Sequence, residues 1–134
     1  MCCCQQEQEA GPSLASASLA YKTAEYLRER GRYEEAKPLY LQALTQREQL
    51  LDVTHPEIAR TLSPLAILSL TLGHYEHAQA CYQRALQIYE QHPLEAHQRE
   101  IARLLTNLGT LSLTLGKYAQ AEGFYQRALA LQEQ

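Results

Sequence analysis

The chain has 134 residues, 46% of them apolar, and a formal net charge of −3. That acidic balance, without any basic run, argues against a nucleic-acid surface. No apolar stretch approaches the roughly 18 residues of a membrane span, so no membrane partner is expected.

The opening stretch, MCCCQQEQEA, lacks the basic start and apolar run of a signal peptide. Cys2, Cys3 and Cys4 are adjacent, which suits them poorly to bond one another. No C-x-x-C pair suggests zinc or redox chemistry, and Met1 is not followed by the Gly that myristoylation needs. Residues 1–12 therefore read as a disordered tail, with acylation or intermolecular bridging of Cys2, Cys3 and Cys4 as the alternative, and the setting as cytoplasmic.

Beyond the tail, Leu, Ala and Tyr dominate the apolar content, a mixture that favours helix over sheet. The first two helices are expected near 14–30 and 33–51, separated by Gly31. The same arrangement returns at Gly73 and again at Gly116, 42 and 43 residues further on. Two positions after each glycine stands Tyr33, Tyr75 or Tyr118; five after it, Ala36, Ala78 or Ala121; nine after it, Tyr40, Tyr82 or Tyr125. The stretch LSLTLG occurs at both 68–73 and 111–116. Three units share one frame.

In the second unit, Ala78, Tyr82, Ala85, Leu86 and Tyr89 form one apolar stripe at helical spacing. Ala59, Leu62, Leu65, Ala66 and Ser69 form another ahead of Gly73. A glycine between two helices supplies the positive φ that ends the first, and so short a connection makes the pair antiparallel. Further helices are expected near 56–72, 75–91, 94–115 and 118–133. Thr54 to Glu57 fits a capping box, with Pro56 tolerated in the first turn. Pro64 is expected to kink its helix. Pro93 precedes the shared "IAR" by more residues than Pro56 does, so the third unit's first helix should begin near Leu94 and run longer.

With G-x-Y at each hairpin followed by A-x-x-x-Y-x-x-A-L, the pattern resembles the tetratricopeptide repeat (TPR). The units of 42–43 residues, with "THPEIARTL", "YEEAKPLY" and "LTNLG", are similar to its kinesin-light-chain type, as found in bacterial TPR proteins. The resemblance implies an all-α fold: an α-solenoid, or right-handed superhelix, of three antiparallel helical hairpins (about six helices). The domain would span 13–134, with repeats at about 14–51, 56–91 and 94–133. It also implies a concave groove, lined by the first helix of each hairpin, that holds peptides or protein segments. Of the paired asparagines that the light-chain type carries in that helix, only Asn107 is present. Tyr21 and Lys22, Ser63 and Pro64, and Thr106 stand at the other positions.

Chemistry offers little else. One Asp (Asp52) and one Asn (Asn107) leave no plausible catalytic triad, and GTLSLTLGK has six residues between its glycines where a phosphate loop has four. No enzyme activity and no cofactor are expected. His77 and Cys81 lie one helical turn apart, but the positions equivalent to Cys81 hold Leu39 and Phe124, so it reads as a packing site and no metal is expected. His77 reads as exposed; His55, His92 and His97 read as capping or solvated.

The expected function is a non-enzymatic protein–protein interaction module. Its groove would present Tyr21, Lys22, Arg60, Ser63, Ile67, Leu70, Arg103, Thr106, Asn107, Thr110 and Leu113. Arg60 and Arg103 hold equivalent positions and would suit a carboxylate of a protein or peptide ligand. The alternative is a structural, self-assembling repeat protein, or a fragment of a larger TPR signalling protein. It would pair, for instance as a homodimer, through the uncapped last helix at Phe124, Ala128 and Leu131.

Overall fold

The structure, a computed structural model, describes residues 13–133, and Cys2, Cys3 and Cys4 lie outside them. Every regular element among the described residues is helical: α1 (Leu14–Glu29), α2 (Tyr33–Leu50), α3 (Pro56–Thr71), α4 (Tyr75–Glu90), α5 (Leu94–Thr114) and α6 (Tyr118–Gln132). The fold is thus all-α, built from helical hairpins. The described residues divide into two compact units, at 13–52 and 53–133.

The first unit is the hairpin α1–α2. Ser13 caps α1 by accepting from the Ser16 N–H at 3.0 Å. Ala17, Ala20 and Ala24 are buried on α1, and Ala36, Tyr40, Ala43 and Leu44 on α2. Small residues on one helix let it approach closely, and the Tyr40 ring fills the space beside them. The buried Tyr40 hydroxyl accepts from Arg28 Nε at 3.0 Å, as a buried polar atom should.

The second unit holds two hairpins, α3–α4 and α5–α6, with α4 also packed on α5. Buried Ala59, Leu62 and Ala66 of α3 and Ala78, Tyr82 and Ala85 of α4 lie on the stripes read from the sequence. In the last hairpin, Gly109 replaces the alanine found at 24 and 66. The Tyr125 ring takes the space, so that a Cβ at 109 would lie 2.8 Å from Tyr125 Cε1.

All three hairpins turn on the same backbone device. Gly31, Gly73 and Gly116 have φ of 78°, 82° and 76°. At Gly73 the glycine N–H donates to the Leu70 carbonyl at 3.0 Å and the His74 N–H to that of Ser69 at 2.7 Å, closing a Schellman motif. Nothing lies within 4 Å of a Cβ built at Gly73, so Gly73→Ala meets only the conformational penalty. It is expected to lower the unfolding free energy by about 1–2 kcal/mol. Thermal unfolding checks this; an unchanged melting temperature would mean that the turn does not need its left-handed residue.

Two local expectations are corrected. The N-cap of α3 is His55 rather than Thr54: His55 Nδ1 accepts from the Glu57 N–H at 3.1 Å. The kink expected at Pro64 is not marked by any non-helical residue in α3, which continues to Thr71; one missing N–H is tolerated where the packing on either side holds the helix. The non-helical residue lies instead in α5, where His97 has φ −136° and ψ 24°. As Pro93 implies, α5 is the longest of the three first-in-hairpin helices, with 21 residues.

Candidate functional site

Hairpin packing commits one face of each leading helix and leaves the opposite face to solvent. None of the eleven expected groove residues is buried, and Arg60, Ile67, Arg103, Thr106, Thr110 and Leu113 are exposed. Their circumstances differ between the units.

In the first unit, Lys22 is exposed, but Tyr21 is largely taken up by packing. Its ring meets Tyr40 edge-on at 5.7 Å, and the buried Arg47 guanidinium lies 4.8 Å from its centroid. Burial, reinforced by Glu25, raises the pKa of the Tyr21 hydroxyl well above that of an ordinary tyrosine. Tyr21 is therefore a packing residue of its hairpin at least as much as a surface one.

In the second unit, Arg60 forms an ion pair with Glu57 one turn earlier on α3. Arg103 has no ion-pair partner among the described residues. Both arginines nevertheless act on one group, the buried Tyr89 hydroxyl. Burial raises its pKa, Arg60 and Arg103 oppose the rise, and Glu100 and Glu57 add to it. The expected pair of guanidinium groups is thus interleaved with carboxylates, which dilutes a purely cationic clamp.

The hydroxyls of this face are partly satisfied within their own helices. Ser63 Oγ donates to the Ala59 carbonyl at 3.3 Å, and Thr106 Oγ1 to that of Ala102 at 2.9 Å. Thr110 Oγ1 lies 2.9 Å from the Tyr125 hydroxyl. Asn107 is half-buried beside them.

Arg103, Thr106 and Asn107 line an open cleft of about 790 Å³ along α5, with Leu131 and Gln132 of α6 also lining it. Gln98 Nε2 donates to the Leu131 carbonyl at 2.7 Å and ties the end of α6 to the cleft wall. Glu95, Gln98, Arg99 and Glu100 also line it, and none was among the expected site residues. The available signal was the early Pro93, which gives α5 the extra residues that carry Glu95 and Gln98; Arg99 and Glu100 hold the places of Pro56 and Glu57 in α3.

Two histidines depart from expectation, whereas His55 caps α3 as read. His77 is half-buried, with Nδ1 2.8 Å from Ser69 Oγ and Nε2 3.7 Å from Cys81 Sγ. His97 is buried, its ring 4.8 Å from that of Tyr89 and 5.4 Å from that of His92. Both rings fill space between helices, which single-helix periodicity does not reveal. Cys81 is buried, as a packing site should be. Among the described residues no three His, Cys, Asp or Glu side chains converge on a common point.

The expected pairing strip on α6 is also displaced. Ala128 is buried, and Phe124 and Leu131 are half-buried; Tyr118 and Leu129 are the exposed large apolar residues of this helix.

Comparison with known proteins gives a consistent picture. Residues 15–91 match one family model described as Tetratricopeptide repeat, and residues 101–134 match a second. No curated protein matches the sequence. Among solved structures, BtubC (BKLC) from P. vanneervenii superposes with a TM-score of 0.82 at 22% identity, over 87% of this chain and 46% of that one. The chain thus spans less than half the length of that protein. The TPR domain of Arabidopsis FLU gives 0.76 at 21% identity, covering 89% and 96% of the two chains. The second TPR of Spaghetti (RPAP3), solved with the HSP90 peptide SRMEEVD, gives 0.67 at 19% identity over 88% and 94%. At these identities the likeness concerns the fold.

Proposed function

Because the chain belongs to the tetratricopeptide repeat family, whose domains are generally protein–protein interaction modules, we propose that it is a non-enzymatic module that binds an acidic peptide segment. The segment would lie on the leading-helix surface of the second unit, with its main anchor in the α5 cleft. The observation that carries this reading is Arg103, exposed in that cleft beside Thr106 and Asn107 and without an ion-pair partner among the described residues.

A carboxylate placed there gains a guanidinium that already faces the cleft, and a fork–fork pair is among the stronger polar contacts. The Asn107 amide can serve a ligand backbone, since it both donates and accepts. Arg60, already held by Glu57, contributes less. Exposed Ile67 and half-buried Leu70 on α3 offer an apolar side chain a place to rest. The acidic peptide held by a similar structure supports this class of ligand. The net charge of −3 favours a protein over a nucleic acid.

The test is fluorescence anisotropy with labelled SRMEEVD as probe, against the parent, Arg103→Ala, Arg60→Ala and Gln83→Ala, the last on the exposed face of α4. Arg103→Ala is expected to weaken binding by at least about 2 kcal/mol, roughly thirtyfold, as for a desolvated charge contact. Arg60→Ala is expected to lose less, Gln83→Ala nothing, and added salt should weaken the parent. Equal affinities for all four proteins, or no binding by the parent, would remove this reading.

A further inference from the structure

The repeats allow each hairpin's surface to be compared with its counterpart. On α5, His97, Ile101, Leu104, Leu108 and Leu111 form one stripe, and the His97–Tyr89 ring contact shows that this stripe faces α4. The positions equivalent to Leu104, Leu108 and Leu111 are Thr61, Leu65 and Leu68 in α3; none of the six is more than 2% exposed. In α1 the same positions hold Leu19, Thr23 and Tyr26. There Leu19 is 68% exposed, Tyr26 52%, and Thr23 is exposed as well.

The receiving surface shows the mirror of this pattern. On α4, which holds α5, Tyr82 is 1% exposed and Leu86 6%. Their counterparts on α6 are Tyr125, half-exposed, and Leu129, 56% exposed. With Leu113, Tyr118 and Ala121 they line a shallow apolar cavity of about 340 Å³. The last hairpin thus displays an unfilled receiving face, and the first displays the counterpart of the stripe that fills such a face between α4 and α5.

We propose that a second copy of this chain docks on α6, laying the Leu19–Thr23–Tyr26 stripe of its α1 across Tyr125 and Leu129. The contact would repeat, between molecules, the one that α4 and α5 make within the chain. It is heterologous, because the two surfaces differ, so copies join head to tail and the series stays open unless it closes into a ring. Matching apolar strips of this kind rarely remain in water. The inference does not rest on the peptide-binding reading, and Leu19 and Leu129 lie outside that site.

The experiment is sedimentation velocity in reducing agent on the full chain, Leu19→Glu, Leu129→Glu and their equimolar mixture. Both substitutions fall on exposed side chains, and circular dichroism melts confirm folding. The parent is expected to grow beyond the dimer with concentration, while each variant alone stays at the 15.2 kDa of one chain. The mixture should form a one-to-one dimer and nothing larger, because it restores a single competent pair of surfaces. A monomeric parent at every concentration, or either variant associating by itself as well as the parent does, would overturn the proposal. Association by Leu19→Glu alone would identify a symmetric α6–α6 dimer instead.

Discussion

Tyr82→Ala is expected to lose about 3–5 kcal/mol of unfolding free energy, as large-to-small changes in a packed core do. Tyr82 is among the largest fully buried side chains of the second unit, on the face of α4 that meets its neighbours. Its removal leaves a ring-sized void that the neighbouring helices fill only in part. Against a total stability of about 5–15 kcal/mol, that loss can unfold the unit. Tyr125→Ala supplies the comparison, since Tyr125 holds the same place in the repeat but is half-exposed and should cost clearly less. The reverse error at a neighbouring position, Ala85→Leu, is expected to cost about 1–3 kcal/mol by overpacking. Urea denaturation measures all three. Equal losses at 82 and 125 would mean that the repeat frame misplaces the core.

Alkaline instability is the second large effect. Burial pushes the Tyr82 hydroxyl up from 10.0 to about 12. Tyr21, Tyr40 and Tyr89 are shifted in the same direction, each chiefly by burial. A folded state that holds a tyrosine proton more tightly than the unfolded chain binds more protons between the two values, so stability falls with pH there. The contribution is fully present below about pH 10, the unfolded value, and is lost as pH rises toward 12. For Tyr82 alone the loss is about 3 kcal/mol, and the other three tyrosines deepen it. Melting temperatures between pH 9 and pH 12 should therefore fall steeply. Tyr82→Phe, compared with its own value at pH 9, should fall less. A flat profile would show that these hydroxyls are solvated in the native state.

The hairpins were legible because one backbone requirement, a positive φ at Gly31, Gly73 and Gly116, recurs beside alanine–tyrosine stripes of helical period. Such features depend on residues near in sequence. What escaped depends on neighbours brought in by the fold. His97 lies between unit boundaries and reads as solvated until α5 is laid against Tyr89. His77 meets Ser69 across the α3–α4 turn. The cap passed from Thr54 to His55 because an imidazole nitrogen can accept from the Glu57 N–H as a hydroxyl can, and no propensity rule favours His there. Pro64 stays in an unbroken helix because tertiary packing outweighs one missing hydrogen bond. On α6, Phe124, Ala128 and Leu131 share a side by periodicity, but a rotation of about one residue decides which side faces α5. The α5 cleft was half legible: Arg103, Thr106 and Asn107 follow from the repeat frame, whereas Glu95 and Gln98 sit on turns that the other units lack.

That a peptide segment is held along the leading helices of the second unit, at the α5 cleft, is tested most directly by amide chemical-shift mapping during titration with SRMEEVD. The expected result is a set of saturable shifts at 99–107 on α5 and smaller ones at 60–67 on α3, with Gln83 and Gln87 on the exposed side of α4 unmoved. Saturable shifts confined to 118–129 on α6, or none at any peptide concentration, would contradict it.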